Sequence, residues 1–153
     1  MKVKWDVRKA AKNLNIALIP FNMEMDGKAH GYSTPDREMA IHPEAKYPVF
    51  VTLHEMGHIA LSHIVSPFGG TSQKFTIMDV IWKQHNMTSH EMEAQLVALE
   101  AALLLGLEPG IDLDVSYELA YLEHFVKDAG MPSDERVAQL REAAKRIVEA
   151  GRL

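Results

Sequence analysis

The spacing of hydrophobic and polar residues predicts a short helix and a weak strand at the start of the chain. Residues 5–14 place apolar side chains at helical intervals, with charged residues between them. Residues 16–25 form a more continuous apolar run that contains Pro20. Because proline cannot donate a hydrogen bond to a neighbouring strand, this run is predicted to be an edge strand or a broken strand.

A hairpin followed by a longer helix is predicted next. Residues 30–34 and 38–42 have the composition of two short strands, and they are joined across Pro35 and Asp36, a turn-forming pair. Residues 48–65 then carry an apolar face at helical spacing and begin with a proline, which the first turn of a helix tolerates. A small antiparallel sheet packed on this helix is therefore predicted.

The second half of the chain is predicted to be mainly helical. A loop rich in proline and glycine is expected at residues 66–73, and helix breaks are expected at 106–110 and 129–132. The predicted helices cover residues 75–84, 89–105, 115–127 and 133–150. Together with the hairpin, this pattern predicts an α+β fold.

Composition narrows the possible classes of protein. The 153 residues suffice for one domain with its own core, so residues 1–153 are predicted to form a single domain. The chain has no cysteine, so a metal site must be built from His, Asp and Glu. The net charge of -5 and the scattered basic residues argue against nucleic-acid binding. With no apolar leader and no bilayer-length apolar run, we expect a soluble, cytoplasmic protein without membrane partners.

The most specific chemical signal is an H-E-x-x-H pattern within the predicted helix 48–65. His54 and His58 are four residues apart, so their imidazoles face the same way and can bind one metal ion. Glu55 follows the first histidine directly, where its carboxylate can reach a water molecule beside the metal. The pattern predicts His54 and His58 as zinc ligands and Glu55 as the general base.

A third ligand is needed, because catalytic zinc usually has three protein ligands and a water. The position six residues after the second motif histidine holds Ile64, and His63 is one residue out of register for a third histidine. Carboxylates on the next helix remain, namely Glu91 and Glu93, which point about 200° apart around the helix axis. Gln95 follows Glu91 by one turn and is predicted to be a donor outside the ligand set. The residues themselves leave both glutamates open.

The chain resembles gluzincin-type zinc metallopeptidases of the ImmA/IrrE superfamily. Residues 52–63 resemble the H-E-x-G-H helix of that family with its trailing histidine. Residues 91–98 resemble its E-x-x-A-N-x-x-A segment, with Gln95 in place of the usual asparagine. Gly31 and residues 41–43 resemble the strand pair that precedes the helix. Residues 116–125 are similar to the end of the metallopeptidase domain of ArdC-type antirestriction proteins. The resemblance implies a zincin-like fold, Zn²⁺ as the cofactor and Glu91 as the third ligand.

The resemblance also implies an activity. It indicates a zinc-dependent metallopeptidase that hydrolyses peptide bonds in a specific protein partner, such as a repressor in a phage, mobile-element or stress setting. The strand at residues 38–42 is expected to receive the substrate peptide by strand addition. A non-catalytic, zinc-containing interaction protein is the alternative, and hydrolysis of a non-peptide amide is a third possibility.

The sequence does not select the donor that would stabilise a developing oxyanion. His63 is expected beside the ligands or at the surface, and His30, His42 and His85 are expected to be ordinary polar residues. The candidate donors are Tyr32, His90, Tyr117, Tyr121 and His124.

Overall fold

The computed structural model describes residues 2–23, 30–63 and 77–153, and for residues 77–87 it describes the backbone only. Within these ranges the chain is α+β and mainly helical, as predicted. The elements in chain order are α1 (Val7–Asn13), β1 (Ala17–Leu18), β2 (Gly31–Ser33), β3 (Glu38–Ile41), α2 (Pro48–Ala60), α3 (Ile77–Leu105), α4 (Val115–Ala129) and α5 (Asp134–Gly151).

The predicted hairpin is present, but the sheet as a whole is mixed. β2 and β3 pair in antiparallel fashion with Tyr32 opposite Ala40, whereas β1 runs parallel to β3 with Ala17 opposite Glu38. The prediction of an antiparallel sheet is therefore wrong. The hairpin turn makes only β2 and β3 antiparallel. β1 lies on the opposite edge of β3 and runs in the same direction as β3.

The strand order is β1-β3-β2, so β3 is the central strand. Both of its edges are hydrogen-bonded to neighbours, so the prediction that residues 38–42 accept a peptide by strand addition is wrong. On one of these edges, the two residues of β1 pair with Glu38 and Met39. The outer side of β2 has no strand neighbour within the described ranges.

The motif helix α2 begins at Pro48 as predicted but ends at Ala60 rather than at residue 65. Ser62 has a left-handed backbone with φ of 57°, and its N–H donates to the carbonyl of Ile59 over 3.0 Å. The N–H of His63 donates to the carbonyl of His58, also over 3.0 Å. This pair of bonds is a Schellman ending, which usually has glycine at the left-handed position. Because serine holds this position in place of glycine, the sequence did not indicate that the helix ends here.

The helices of the second half differ from the prediction in one respect. Residues 75–84 and 89–105 were predicted as two helices, but one continuous helix, α3, runs from residue 77 to 105. No glycine or proline lies between the two predicted segments, so nothing interrupts the backbone hydrogen bonds. The later helices α4 and α5 agree with the prediction to within two residues at each end. The predicted loop at residues 66–73 lies outside the described residues.

The core lies where α2 crosses α3, with α1 and α5 packed around it. α2 contributes Phe50, Leu53 and Met56, and α3 contributes Val97 and other small or apolar residues. α4 is different, because none of its side chains is fully buried. Among the helices in the described ranges, none combines the length and the hydrophobicity that crossing a bilayer requires.

Candidate metal centre

Small residues allow α2 and α3 to approach closely at the motif. A Cβ atom placed on Gly57 would lie 3.2 Å from the carbonyl oxygen of Ala94 and 3.4 Å from the Cβ of Val97. Because Gly57 carries only a hydrogen in place of a side chain, the two helices can lie this close together. The short spacing brings a glutamate of α3 within reach of both motif histidines.

The structure brings together His54, His58 and Glu91. The Nε2 atom of His54 lies 3.0 Å from one oxygen of the Glu91 carboxylate, and the Nε2 atom of His58 lies 2.9 Å from the other. One ligand atom from each of the three residues lies within 4.8 Å of the others, so the group could hold a metal ion. Glu93 points away from this group, as the helical geometry predicts.

The amide of Gln95 fixes the orientation of His54. Its Nε2 donates to the backbone oxygen of Glu118 over 3.0 Å and to a carboxylate oxygen of the same residue over 2.7 Å. Its Oε1 therefore faces the Nδ1 of His54, at 2.9 Å, and accepts a hydrogen bond from it. In the neutral ring with its proton on Nδ1, the Nε2 atom, which faces Glu91, carries the lone pair that a metal ion would accept. Gln95 thus acts as an acceptor, not as the donor predicted from sequence.

A second chain of hydrogen bonds orients His58. Glu93 accepts a hydrogen bond from the Nε2 of His63 over 2.9 Å. Burial lowers the pKa of His63, so its ring is neutral and its Nδ1 carries a lone pair. The Nδ1 of His58 lies 3.0 Å from that lone pair and must donate to it. The Nε2 of His58 then also presents a lone pair to Glu91.

Three electron-pair donors therefore converge on one point. When both imidazoles are neutral, their Nε2 lone pairs and the carboxylate repel one another unless a cation lies among them. Without a metal ion, a proton on an imidazole nitrogen takes that place and forms the hydrogen bond to Glu91. In a tetrahedral zinc site, ligand distances of about 2.0–2.2 Å place the donor atoms about 3.3 Å apart. The observed separations of 2.9 and 3.0 Å are close to this value. The residues thus fit a His₂Glu metal site.

The electrostatics of the group favour positive charge at the same point. Burial raises the pKa of Glu91, but the hydrogen bonds with His54 and His58 outweigh it and hold the pKa far below its usual value. Burial lowers the pKa of His54, whereas the bond to Glu91 and the charge of Glu55 raise it above the ordinary value. The group therefore attracts a cation, which is what metal binding requires.

Glu55 is buried in α2 beside the first histidine. One of its oxygens accepts a hydrogen bond from the hydroxyl of Ser33 over 3.1 Å. A carboxylate has about four lone-pair positions, so this single bond leaves others to accept a proton. β2 therefore holds the side chain in place through one carboxylate oxygen.

Among the candidate oxyanion donors, Tyr121 contacts the ligand group. Its hydroxyl donates to Glu91 over 3.1 Å, and its ring centroid lies 6.2 Å from that of His54. Burial and the Glu91 charge raise the pKa of Tyr121 well above its usual value, so the hydroxyl keeps its proton. The other candidates have different neighbours. Tyr32 accepts a bond from the N–H of Asn22, His90 stacks on His63, Tyr117 stacks on Tyr121, and His124 packs on Phe125.

Sequence reasoning missed three residues that support this group. Ser33 holds Glu55, Glu118 holds Gln95, and Arg136 pairs with Glu93. Each belongs to a different element from its partner, so no local pattern marks them. His63, expected beside the ligands or at the surface, is buried beside His58 and bridges it to Glu93.

No protein-family model matches the chain, and no curated protein or solved structure is significantly similar to it. The resemblance to ImmA/IrrE metallopeptidases therefore stays a prediction.

Proposed function

We propose that this protein is a zinc-dependent metallopeptidase with a zincin-like active site formed by His54, Glu55, His58 and Glu91. The convergence of two imidazole lone pairs and a carboxylate, with a second carboxylate next to the first histidine, supports this proposal most directly. A purely structural metal site would not need Glu55. His₂Glu is moreover a ligand set of catalytic rather than structural zinc.

Each group has a role in peptide hydrolysis. Zn²⁺ bound by His54, His58 and Glu91 would polarise the substrate carbonyl and lower the pKa of an attacking water towards about 7. Glu55 accepts the proton of that water and returns it to the leaving nitrogen. Tyr121 keeps its proton, and its hydroxyl, which donates to Glu91 in this structure, would turn from Glu91 to donate to the oxyanion that develops on the substrate.

The outer edge of β2 is the site we propose for the substrate backbone. Thr34 donates to Glu38 and His42 donates to His30, so alternate residues of β2 point their backbone groups towards β3. Gly31 and Ser33 then point their N–H and C=O groups away from β3. An extended peptide could pair with this edge directly beside Glu55.

The identity of the substrate follows only from the resemblance. On that basis we propose a specific protein partner, such as a repressor in a phage, mobile-element or stress setting, and action in the cytoplasm. A zinc-containing interaction protein without activity, and a hydrolase of non-peptide amides, remain the competing proposals, which the following experiment separates.

The test uses the zinc-loaded protein and a library of internally quenched peptides. Wild-type protein should cleave members of the library, and Glu55→Gln should bind zinc equally well but cleave about 10²–10⁴-fold more slowly. The control is Glu123→Gln, which neutralises an exposed glutamate of α4 and should retain full activity. Cleavage by Glu55→Gln at the wild-type rate would refute the proposed mechanism. The same proteins are tested on a panel of non-peptide amides. Zinc binding with cleavage of these amides but of no peptide would favour the amide hydrolase, and zinc binding with cleavage of neither would favour the interaction protein.

A further inference from the structure

Glu93 is the second partly buried carboxylate of α3 near the motif histidines, and it is not a ligand in the proposed site. Its oxygens lie 2.6 Å from Nε and 2.8 Å from Nη2 of Arg136, an arrangement that holds the carboxylate by two parallel bonds. The oxygen that accepts from Nη2 also accepts from His63 over 2.9 Å. Glu93 is therefore fixed by α5 on one side and contacts the turn after α2 on the other.

The contact of His63 continues inwards to a proposed metal ligand. Its Nδ1 lies 3.0 Å from the Nδ1 of His58, and the Nε2 of His58 faces Glu91. The carboxylate of Glu93 can only accept, so His63 donates to it through Nε2. When His58 binds a metal through Nε2, its remaining proton is on Nδ1, which donates to the Nδ1 of His63. The Schellman turn at Ser62 places His63 here, and His63 is 6% exposed, so water does not compete for these bonds.

We propose that Glu93 and His63 form a positioning relay that sets the tautomer and the orientation of His58 and thereby raises the affinity of the site for its metal. Arg136 anchors the relay from α5. Metal-bound histidines commonly donate their second nitrogen directly to a carboxylate. Here a second imidazole is inserted between the ligand and the carboxylate. This inference rests on the proposed metal site.

The rival explanation is that Glu93 and Arg136 only tie α3 to α5. The chain offers a matched control, because Glu100 and Arg141 form another ion pair between the same two helices, at 4.0 Å. Glu100 has no bond to His63. Neutralising either glutamate weakens an α3–α5 ion pair, but only Glu93→Gln alters the relay.

The experiment measures the zinc dissociation constant by competition with a chelator for the wild type, Glu93→Gln and Glu100→Gln. Outer partners of metal ligands typically contribute about 10–100-fold to affinity, so we expect at least about tenfold weaker binding for Glu93→Gln and no change for Glu100→Gln. The visible spectrum of the cobalt(II)-substituted protein should shift for Glu93→Gln only, because the ligand field that His58 exerts on the cobalt ion changes. Equal affinities of Glu93→Gln and the wild type would overturn the relay.

A second pair of variants leaves the ion pair of Glu93 with Arg136 in place. His63→Leu cannot accept a hydrogen bond from His58, whereas the amide oxygen of His63→Gln can. We expect His63→Leu to bind zinc about 10–100-fold more weakly and His63→Gln to recover part of the loss. Equal affinities of these two variants would refute the relay while leaving the proposed function intact. A wild-type protein that binds no divalent metal would refute both.

Discussion

Glu91 and Glu93 are two residues apart on the same helix, yet their surroundings give them different roles. Both are partly buried, both contact histidines, and both have lowered pKa values. Burial raises the pKa of Glu93, but Arg136 and His63 outweigh it and lower the pKa to about 2. Glu93 has a permanent cation of its own, Arg136. Among the described residues, Glu91 instead accepts hydrogen bonds from two imidazoles and a phenol.

This comparison gives a physical reason why Glu91, and not Glu93, is the proposed metal ligand. A buried carboxylate needs a compensating charge, and a guanidinium supplies one permanently. Glu93 is satisfied in this way and can act only through its neighbour His63. Glu91 contacts two imidazoles, which carry a positive charge only when they are protonated, so a metal ion is the charge that would complete its surroundings. The same residue type thus serves at the ligand position or outside it according to which helix it faces.

Removing each carboxylate in turn tests the comparison with the largest expected effect. After reconstitution with zinc and dialysis, the wild type should hold about one zinc per chain. Glu91→Ala should lose it, because only two ligands remain. Glu93→Ala should retain zinc with an affinity about 10–100-fold lower, as for an outer partner. Elemental analysis of the three proteins measures this. Equal loss in both variants would show that the two carboxylates do not differ in role.

Widening the gap between α2 and α3 should disturb the contacts of Glu91 with the two motif histidines more than the contacts of Glu93 with Arg136. Gly57→Val places methyl groups against the backbone of Ala94, where even a Cβ atom would be 3.2 Å from the carbonyl oxygen. Overpacking of this kind costs about 1–3 kcal/mol, measurable as the free energy of unfolding in urea. Zinc affinity should fall as well, because Glu91 moves away from both histidines. Gly57→Ala should give a smaller loss of affinity, and an unchanged affinity in Gly57→Val would show that the helix spacing does not matter.

The smallest effect is expected at the turn around Ser62, which places His63 against Glu93. Ser62 has a φ of 57°, a conformation that costs an L-residue about 1–2 kcal/mol and costs glycine little. Ser62→Gly should therefore raise the free energy of unfolding by about 0.5–1 kcal/mol, after allowance for the greater freedom of glycine in the unfolded chain. Zinc affinity should not change, because the turn and His63 stay in place. Ser62→Ala keeps the strain and is the control, and a less stable Ser62→Gly would contradict this account.

Prediction from sequence was accurate where the signal is local and weak where it depends on distant partners. The hairpin, the start of α2 and the last two helices were predicted from turn residues and helical spacing. The end of α2 was wrong because serine adopts a conformation normally left to glycine. The parallel pairing of β1 and the central place of β3 were missed, because strand order is decided by contacts between segments far apart in the chain.

For the site, the sequence determined which side chains can serve and the tertiary structure decided which ones meet. The four-residue spacing puts His54 and His58 on one face of a helix, and a two-residue separation puts Glu91 and Glu93 on different faces, whatever the rest of the fold. Only the packing of α3 on α2 selects Glu91, and only the packing of α5 on α3 brings Arg136 to Glu93. Helical periodicity is a property of the local backbone, whereas the choice of neighbour depends on close packing among side chains that are distant in sequence.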